Sequence, residues 1–226
     1  MAVLATLSCH EHSLLAGHRG CGRGPAPGGL CGPREGRAGA PWEPAGGHAI
    51  ARRREACDED WGSQGTSADD FGPSVAAGLA ASLEQLVHIG WPQRVGSSLF
   101  HAPEPPAVSI SDYVARLRRH FRCSPGCLVL ALVYIDRATQ RHPELEVGGL
   151  TCHRILAASL TLATKFLDDE VYSNRFYSEI CGVPLRELNA LEGAMMELLR
   201  GDLHVRPEEF DVYQRMLAKA RDCCSA

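Results

Sequence analysis

The sequence predicts an all-α domain behind a long N-terminal arm of different composition. From residue 75 onwards, apolar residues recur every three or four positions, which is the spacing of one face of a helix. No segment alternates apolar and polar residues with period two over a useful length, so strands are not expected. Residues 151–167 are apolar or small at nearly every position from Ile155 onwards, which is typical of a helix surrounded by other helices. We therefore expect residues 151–167 to form a central, buried helix.

Residues 1–73 form the arm, and we expect them to be disordered. They are rich in Gly, Pro, Ala and Arg and show no apolar periodicity. Such a segment cannot bury enough apolar surface to offset the entropy of ordering the chain. Within the arm, Arg52-Arg53-Arg54 has two interpretations, a weak nuclear-import signal or a stretch of solvated tail.

Composition narrows the classes of function. The 226 residues carry a formal net charge of −4, which lacks the basic excess that nucleic-acid binding usually requires. There are ten cysteines but no N-terminal stretch resembling a secretory signal, so we expect reduced thiols in the cytoplasm or the nucleus. The longest apolar run, Cys127 to Ile135, is too short to span a bilayer. We expect a soluble protein that binds neither nucleic acid nor membrane.

Three helices are predicted before the central one. The first covers residues 75–89 and ends at Gly90, with Pro92 two positions further on. The second runs from Ser109 or Ser111 to residue 121, and its outer side is basic, which is more typical of a solvated face than of an anion site. The third begins at Ser124-Pro125, a helix-capping serine followed by a first-turn proline, and stops before Pro143.

Three more helices are predicted after the central one. Their predicted bounds are Ser173 or Asn174 to Cys181, Pro184 to just before Gly201, and Pro207 to about Ala220. Gly182 suits the left-handed position that ends the first of them. The core side of the helix opened by Pro184 is predicted to comprise Leu185, Leu188, Leu191, Met195, Leu198 and Leu199.

Lys165 places a charge within the apolar run of the central helix. Thr151 is predicted to cap this helix, and an acidic run at 168–170 is predicted to end it. Lys165 is one of only two lysines in the chain. Moving an unpaired ammonium group out of water costs several kcal/mol, so its charge needs an explanation. Either the side chain extends to water and complements the C-terminal end of the helix, or it donates hydrogen bonds to a partner's carbonyl groups.

Several short words of the sequence, taken in order, resemble the cyclin box, a domain of five core helices. The matching words are Val-Tyr-Ile-Asp-Arg at 133–137, Leu-Ala-Thr-Lys-Phe-Leu-Asp-Asp at 162–169 and Leu-Asn-Ala-Leu-Glu at 188–192. Further words similar to the plant P-type (U-type) cyclins and the yeast phosphate-pathway cyclins stand at 109–113, 123–127 and 176–177. The resemblance implies a single cyclin box with flanking helices at 74–220, followed by a short C-terminal tail at 221–226.

In that family, the residues matching Lys165 and Glu192 hydrogen-bond to a cyclin-dependent kinase. The resemblance therefore implies a regulatory subunit that docks on such a kinase and biases its mobile helix and activation segment toward the active arrangement. ATP, magnesium and phosphate transfer would belong to the kinase, so no enzyme activity, cofactor or metal is expected in this chain. The pathway implied is cell-cycle control or nutrient signalling, such as the phosphate response. Opposite charges on adjacent helices, one offering donors and the other acceptors, fit this role.

By resemblance, the structural signature residues of the box are Tyr134, Asp136 and Arg137. In other cyclins the aspartate matching Asp136 pairs with an arginine of the first box helix, whose place here falls near Ala107. We therefore expect Arg116 or Arg118 to supply the pairing. The same departure argues against the arginine-bearing hydrophobic patch by which cell-cycle cyclins dock their substrates.

Three alternatives stay open at this point. The candidate ligands of a zinc site are His120, Cys123, Cys127, Cys152 and His153, although zinc favours tighter ligand pairs such as Cys-x-x-Cys. A cyclin-like fold could also be a protein-interaction scaffold without kinase activation, in which Lys165 and Glu192 would be dispensable. The C-terminal Cys223-Cys224-Ser225-Ala226 has the shape of a prenylation signal, but serine stands where an aliphatic residue is usual.

Overall fold

The computed structural model describes residues 71–89 and 98–224, with side chains to Asp222. This part of the chain contains helices and no strand, which confirms the predicted all-α class. Its seven helices are α1 Phe71–Ile89, α2 Ile110–His120, α3 Pro125–Arg141, α4 Cys152–Leu167, α5 Asn174–Cys181, α6 Leu185–Leu199 and α7 Pro207–Cys224. None of these seven is long and apolar enough to cross a membrane. The arm up to residue 70, its arginine run and the side chains of the C-terminal tetrapeptide lie outside the described residues.

The first and last helices are longer than the sequence pattern predicts. α1 begins at Phe71 rather than at residue 75, and α7 continues to Cys224 rather than ending near Ala220. The extension of α1 includes Pro73, which the first turn tolerates because the first four backbone N–H groups have no partner within the helix. Phe71 packs against the hydrophobic core, so a tertiary contact accompanies the longer helix.

The predicted caps are at the predicted positions, but only some act through their side chains. Ser109 caps α2, because the Asp112 backbone N–H donates to its Oγ at 3.0 Å. Thr151 precedes α4 without a capping bond, and its Oγ1 instead donates to the Glu146 carbonyl at 2.6 Å. Gly182 has the expected left-handed backbone, with φ of 72°.

The central, buried position of α4 is confirmed. Every residue from Ile155 to Thr164 is at most 3% exposed, and the helix packs most extensively against α3 and α6. Burial stops abruptly in the last turn, where Lys165, Phe166 and Leu167 are exposed. The ammonium group of Lys165 therefore lies at the surface, and its charge carries no burial penalty of several kcal/mol.

The signature residues of α3 tie this helix to α7 and to the loop before α7. The carboxylate of Asp136 is fully buried and accepts a hydrogen bond from the Tyr213 hydroxyl of α7. Tyr134 donates to the Leu203 carbonyl at 2.9 Å, and Arg137 donates to Glu209 at 2.8 Å. Tyr213 is thus a partner of Asp136 that the family resemblance did not indicate.

Arg116, one of the two arginines predicted to pair with Asp136, donates to the Glu179 carbonyl of α5 at 3.1 Å. The side chain of Arg118 passes close to Gly72 in α1. The hydrogen bond from Arg116 joins α2 to α5, and the Arg118 side chain lies beside α1.

Leu185 is the one residue predicted for the core side of α6 that is exposed, at 40%. The buried stripe consists of Leu188, Leu191, Met195 and Leu199. At 100° per residue, Leu185 lies about 75° from the centre of this stripe. The prediction of Leu185 as a core residue was wrong. Its side chain lies at the edge of the apolar stripe, where the neighbouring helices do not cover it.

Candidate partner-binding site

Lys165 and Glu192 meet at the surface where α4 ends and α6 passes. The Lys165 Nζ donates to the Glu192 Oε1 at 2.6 Å. The lysine side chain is 34% exposed and the glutamate side chain 16% exposed. The two predicted site residues, which are 27 positions apart in the sequence, are therefore neighbours in the fold.

Asn174, the first residue of α5, completes this pair. Its Nδ2 donates to the Glu192 Oε2 at 2.6 Å and to the Asn189 Oδ1 at 2.8 Å. Both carboxylate oxygens of Glu192 are thereby engaged, one by the ammonium group and one by the amide. Glu192 is held in one orientation by two helices other than its own.

From the sequence, Asn174 is predicted only as a possible helix cap, and its contact with Glu192 is not predicted. Ser173 is the residue in the cap position, which leaves the Asn174 side chain directed at α6. No local pattern indicates such a contact, because helix spacing specifies which face a residue occupies and not which helix covers that face.

Exposed apolar side chains lie close to Lys165 along the chain. Phe166, Leu167 and Val171 are 46%, 44% and 45% exposed, and they stand one, two and six positions after Lys165. Leu185 lies two helical turns from Glu192, on the same face of α6. Exposed apolar groups of this size beside a charged pair are typical of a protein-binding surface. We call Lys165, Phe166, Leu167, Val171 and Glu192 the Lys165 surface.

The start of α3 supports this surface from behind. A Cβ atom placed on Gly126 would lie 3.0 Å from the Leu167 Cδ2, so the backbone of α3 and this leucine are in close contact. The backbone N–H of Ser124 donates to the Asp168 Oδ2 at 2.9 Å. The end of α4 is therefore fixed to the first turn of α3.

The zinc alternative lacks a set of ligands. Across residues 71–89 and 98–222, no three or more His, Cys, Asp or Glu side chains are placed together so that they could hold a metal ion. The His153 Nε2 lies 2.9 Å from the Val108 carbonyl, and its ring packs against Tyr113. Cys123, Cys127, Cys152 and Cys181 are free thiols.

Replacing Asn174 with Asp is expected to lower the free energy of unfolding by about 1.5–3 kcal/mol, the usual contribution of a hydrogen bond to a charged group. The change removes the amide donor and brings a second carboxylate beside Glu192. Urea unfolding at low and high salt measures the loss, which should shrink as salt screens the repulsion.

The matched control for this change is Asn189→Asp, which retains an oxygen that can accept from Asn174. It adds a like charge one turn from Glu192 and should cost only about 0.2–0.5 kcal/mol. Equal losses in the two variants would contradict the donor role of Asn174.

An all-α domain whose central helix ends in a lysine paired with a glutamate is the arrangement that the resemblance to the cyclin box implied. The chain belongs to the cyclin family, since the family model for cyclin matches residues 67–200. This confirms the family that the sequence words indicated.

Curated relatives come from the plant U-type and P-type cyclins. Cyclin-U4-1 of Arabidopsis thaliana is 39% identical over 127 residues, which are 56% of this chain and 62% of the relative. Cyclin-P4-1 of Oryza sativa subsp. japonica is 38% identical over 120 residues, covering 53% and 57% of the two chains. Cyclin-U3-1 of Arabidopsis thaliana is 33% identical over 153 residues, covering 65% and 69%. The chain thus spans between 57% and 62% of the length of the first two relatives.

Proposed function

We propose that this chain is the regulatory subunit of a cyclin-dependent protein kinase, which it binds through the Lys165 surface and activates. The observation that carries the proposal is the pairing of Lys165 with Glu192 among exposed apolar side chains, in a member of the cyclin family. Neither charge is needed to fill the core, and both are directed to the surface where a partner would dock.

The chemistry of the pair suits recognition of a partner's backbone. An ammonium group has three donors, and Glu192 uses one donor of Lys165. The others remain for carbonyl groups such as those at a helix end, while the remaining lone pairs of Glu192 can accept backbone N–H groups. Asn174 holds the carboxylate before the partner arrives, which reduces the entropy lost on binding. Phe166 and Leu167 would exclude water around these bonds and strengthen them.

Activation on this proposal is allosteric. Docking favours the kinase conformation in which its mobile helix and activation segment assemble the lysine–glutamate pair and the magnesium site. The shift is limited by the difference in the cyclin's affinity for the two kinase conformations. The cyclin itself performs no chemistry, and ATP, magnesium and phosphate transfer belong to the kinase. It acts in the cytoplasm or the nucleus, in cell-cycle control or nutrient signalling.

The test combines capture and activity. The full-length tagged chain is incubated with cell lysate, captured kinases are identified by mass spectrometry, and the purified kinase is assayed on a peptide with and without the chain. We expect one cyclin-dependent kinase to be retained and its rate of peptide phosphorylation to rise when the chain is added. Absence of any kinase, or a kinase that binds without a change in rate, would favour a protein-interaction scaffold instead.

A further inference from the structure

A pocket lies between the C-terminal half of α3 and the start of α7. Its volume is about 390 Å³, within the range of about 300–1,000 Å³ that is usual for ligand sites. From α3 it is lined by Arg137, Gln140 and Arg141, and Arg206 stands directly before α7. Val212 of α7 forms an apolar part of the wall and is 41% exposed. We call these five residues the arginine pocket.

Two of the three guanidinium groups are paired within the chain. Arg137 donates to the Glu209 carboxylate at 2.8 Å and to two backbone carbonyl oxygens of the loop before α7, each at 3.0 Å. Arg141 donates to the carboxylate of Asp202, which belongs to the same loop. These bonds fix both guanidinium groups at the wall of the pocket, so a ligand would not have to order them.

Arg206 has no such partner. It is exposed, and within the described part of the chain its guanidinium group has neither a hydrogen bond nor an ion pair. Since Arg137 and Arg141 are each matched by one carboxylate, Arg206 leaves one positive charge at the pocket without a counter-charge. The amide of Gln140 adds further donors beside it. The arginine pocket is therefore suited to a ligand that carries one negative charge.

We propose that the arginine pocket binds an acidic side chain from a segment of a partner protein. A carboxylate carries the single negative charge that the pocket lacks, and its two oxygens match the fork of a guanidinium group. A phosphate group, with a charge of about −1.5 to −2, would exceed the free positive charge. An apolar side chain next to the acidic one would cover Val212.

The exposure of the lining favours a protein segment over a small molecule. Gln140, Arg141, Arg206 and Val212 are all exposed, so the pocket is open to water. Small-molecule sites usually bury about 70–90% of their ligand, which an open pocket cannot do. A protein segment gains further contacts beyond the pocket. Nucleic acid, another anionic partner, is disfavoured by the net charge of −4.

The position of the arginine pocket leaves the Lys165 surface free. Gly126 contacts Leu167 of that surface, and Arg137 and Arg141 follow Gly126 by eleven and fifteen residues in the same helix. At 1.5 Å per residue, about 17–22 Å of α3 separates the two places. A kinase and an acidic segment would therefore contact different ends of α3. Resting on the proposed function, we infer that the arginine pocket recruits acidic protein substrates to the bound kinase.

Peptide binding tests the pocket without the kinase. The probe is a fluorescein-labelled, glutamate-rich peptide with one leucine, titrated with the full-length chain and followed by fluorescence anisotropy. We expect saturable binding that weakens as salt is added, and no binding of the same peptide with glutamine in place of every glutamate. Absence of binding at low salt, or equal binding of the two peptides, would overturn the proposal. Binding of a phosphoserine-containing version alone would overturn the assignment to a carboxylate.

Arg206→Gln is the variant that locates the binding. Its side chain pairs with no other described residue, so the domain should stay folded, as circular dichroism would verify. Loss of a hydrogen bond between charged groups should weaken peptide binding by at least about tenfold. The matched control is Arg215→Gln, the same change at an exposed residue of α7 outside the pocket lining. Equal affinities of the two variants would contradict binding in the arginine pocket.

Steady-state kinetics test the recruitment separately. A peptide substrate of the captured kinase is prepared with and without the glutamate-rich segment, joined through flexible linkers of several lengths. Arg206→Gln should raise KM for the joined substrate by about tenfold with kcat unchanged, and should not affect the plain substrate. If the segment binds the chain but leaves KM unchanged at every linker length, the recruitment fails while the pocket and the proposed function stand. If the chain captures no kinase, the proposed function and the recruitment fail together, and anisotropy alone decides on the pocket.

Discussion

Replacing both Lys165 and Glu192 with alanine is expected to abolish capture of the kinase while leaving the domain folded. The ion pair is partly exposed and contributes only about 0.2–1 kcal/mol to stability. Loss of the Asn174 bond to Glu192 adds about 1.5–3 kcal/mol, and the sum stays below the usual stability of a domain, about 5–15 kcal/mol. At an interface the same groups would be desolvated, where loss of a hydrogen-bonded charge costs about 2–5 kcal/mol. At about 1.4 kcal/mol per tenfold change, affinity should fall by about 30-fold to several thousandfold.

The chain offers a matched control for this variant. Lys219 and Glu208 are the same residue types, both exposed on α7, and replacing both with alanine likewise leaves the net charge unchanged. Far-ultraviolet circular dichroism verifies the fold of both variants, and titration of the purified kinase measures affinity. If the Lys165 and Glu192 variant is folded and binds as tightly as the control variant, the Lys165 surface is not the kinase site and the scaffold alternative gains weight.

Local sequence patterns predicted the helices well, because the residues that start and end a helix are part of that helix or adjacent to it. Ser109 at the start of α2 and Gly182 at the end of α5 are such marks, and both have the predicted role. The pattern did worse where a helix end depends on distant residues. The start of α1 at Phe71 accompanies the packing of this side chain against the core, which a hydrophobic periodicity beginning at Val75 cannot reveal.

The residues of the candidate site likewise fall into those that the sequence indicates and those that only the tertiary structure brings together. Lys165 stood out from the sequence because a single charge interrupts an apolar helix, and Glu192 followed from the family resemblance. Asn174 had no comparable signal, since its importance lies in reaching across from α5 to α6. Tyr213 is a similar case. It lies 77 positions after Asp136 and donates a hydrogen bond to that buried carboxylate from another helix, a contact that the resemblance did not indicate.

The contact between α1 and α7 is likewise absent from the sequence pattern, and it depends on a glycine. A Cβ atom on Gly78 would lie 2.0 Å from the carbonyl oxygen of Leu217 and 2.6 Å from its carbonyl carbon. Both are backbone atoms, so no side-chain rotation can relieve the overlap. The two helices, which pack extensively on each other, cross here with their backbones in contact.

Gly78→Ala is therefore expected to destabilise the domain by about 3 kcal/mol or more, the upper range for overpacking, despite the better helix propensity of alanine. Separating α1 from α7 would also loosen the packing of the adjacent Leu79, which is fully buried. Gly193→Ala is the matched control. It makes the same change inside α6, where an added Cβ would meet nothing within 4 Å.

The control should stabilise the protein by about 0.5–1 kcal/mol, because alanine loses less backbone entropy than glycine on forming a helix. Urea unfolding followed by circular dichroism measures both changes on the same scale. The opposite signs isolate the effect of the helix crossing from that of helix propensity. A Gly78→Ala variant as stable as Gly193→Ala would mean that α1 does not cross α7 at Leu217.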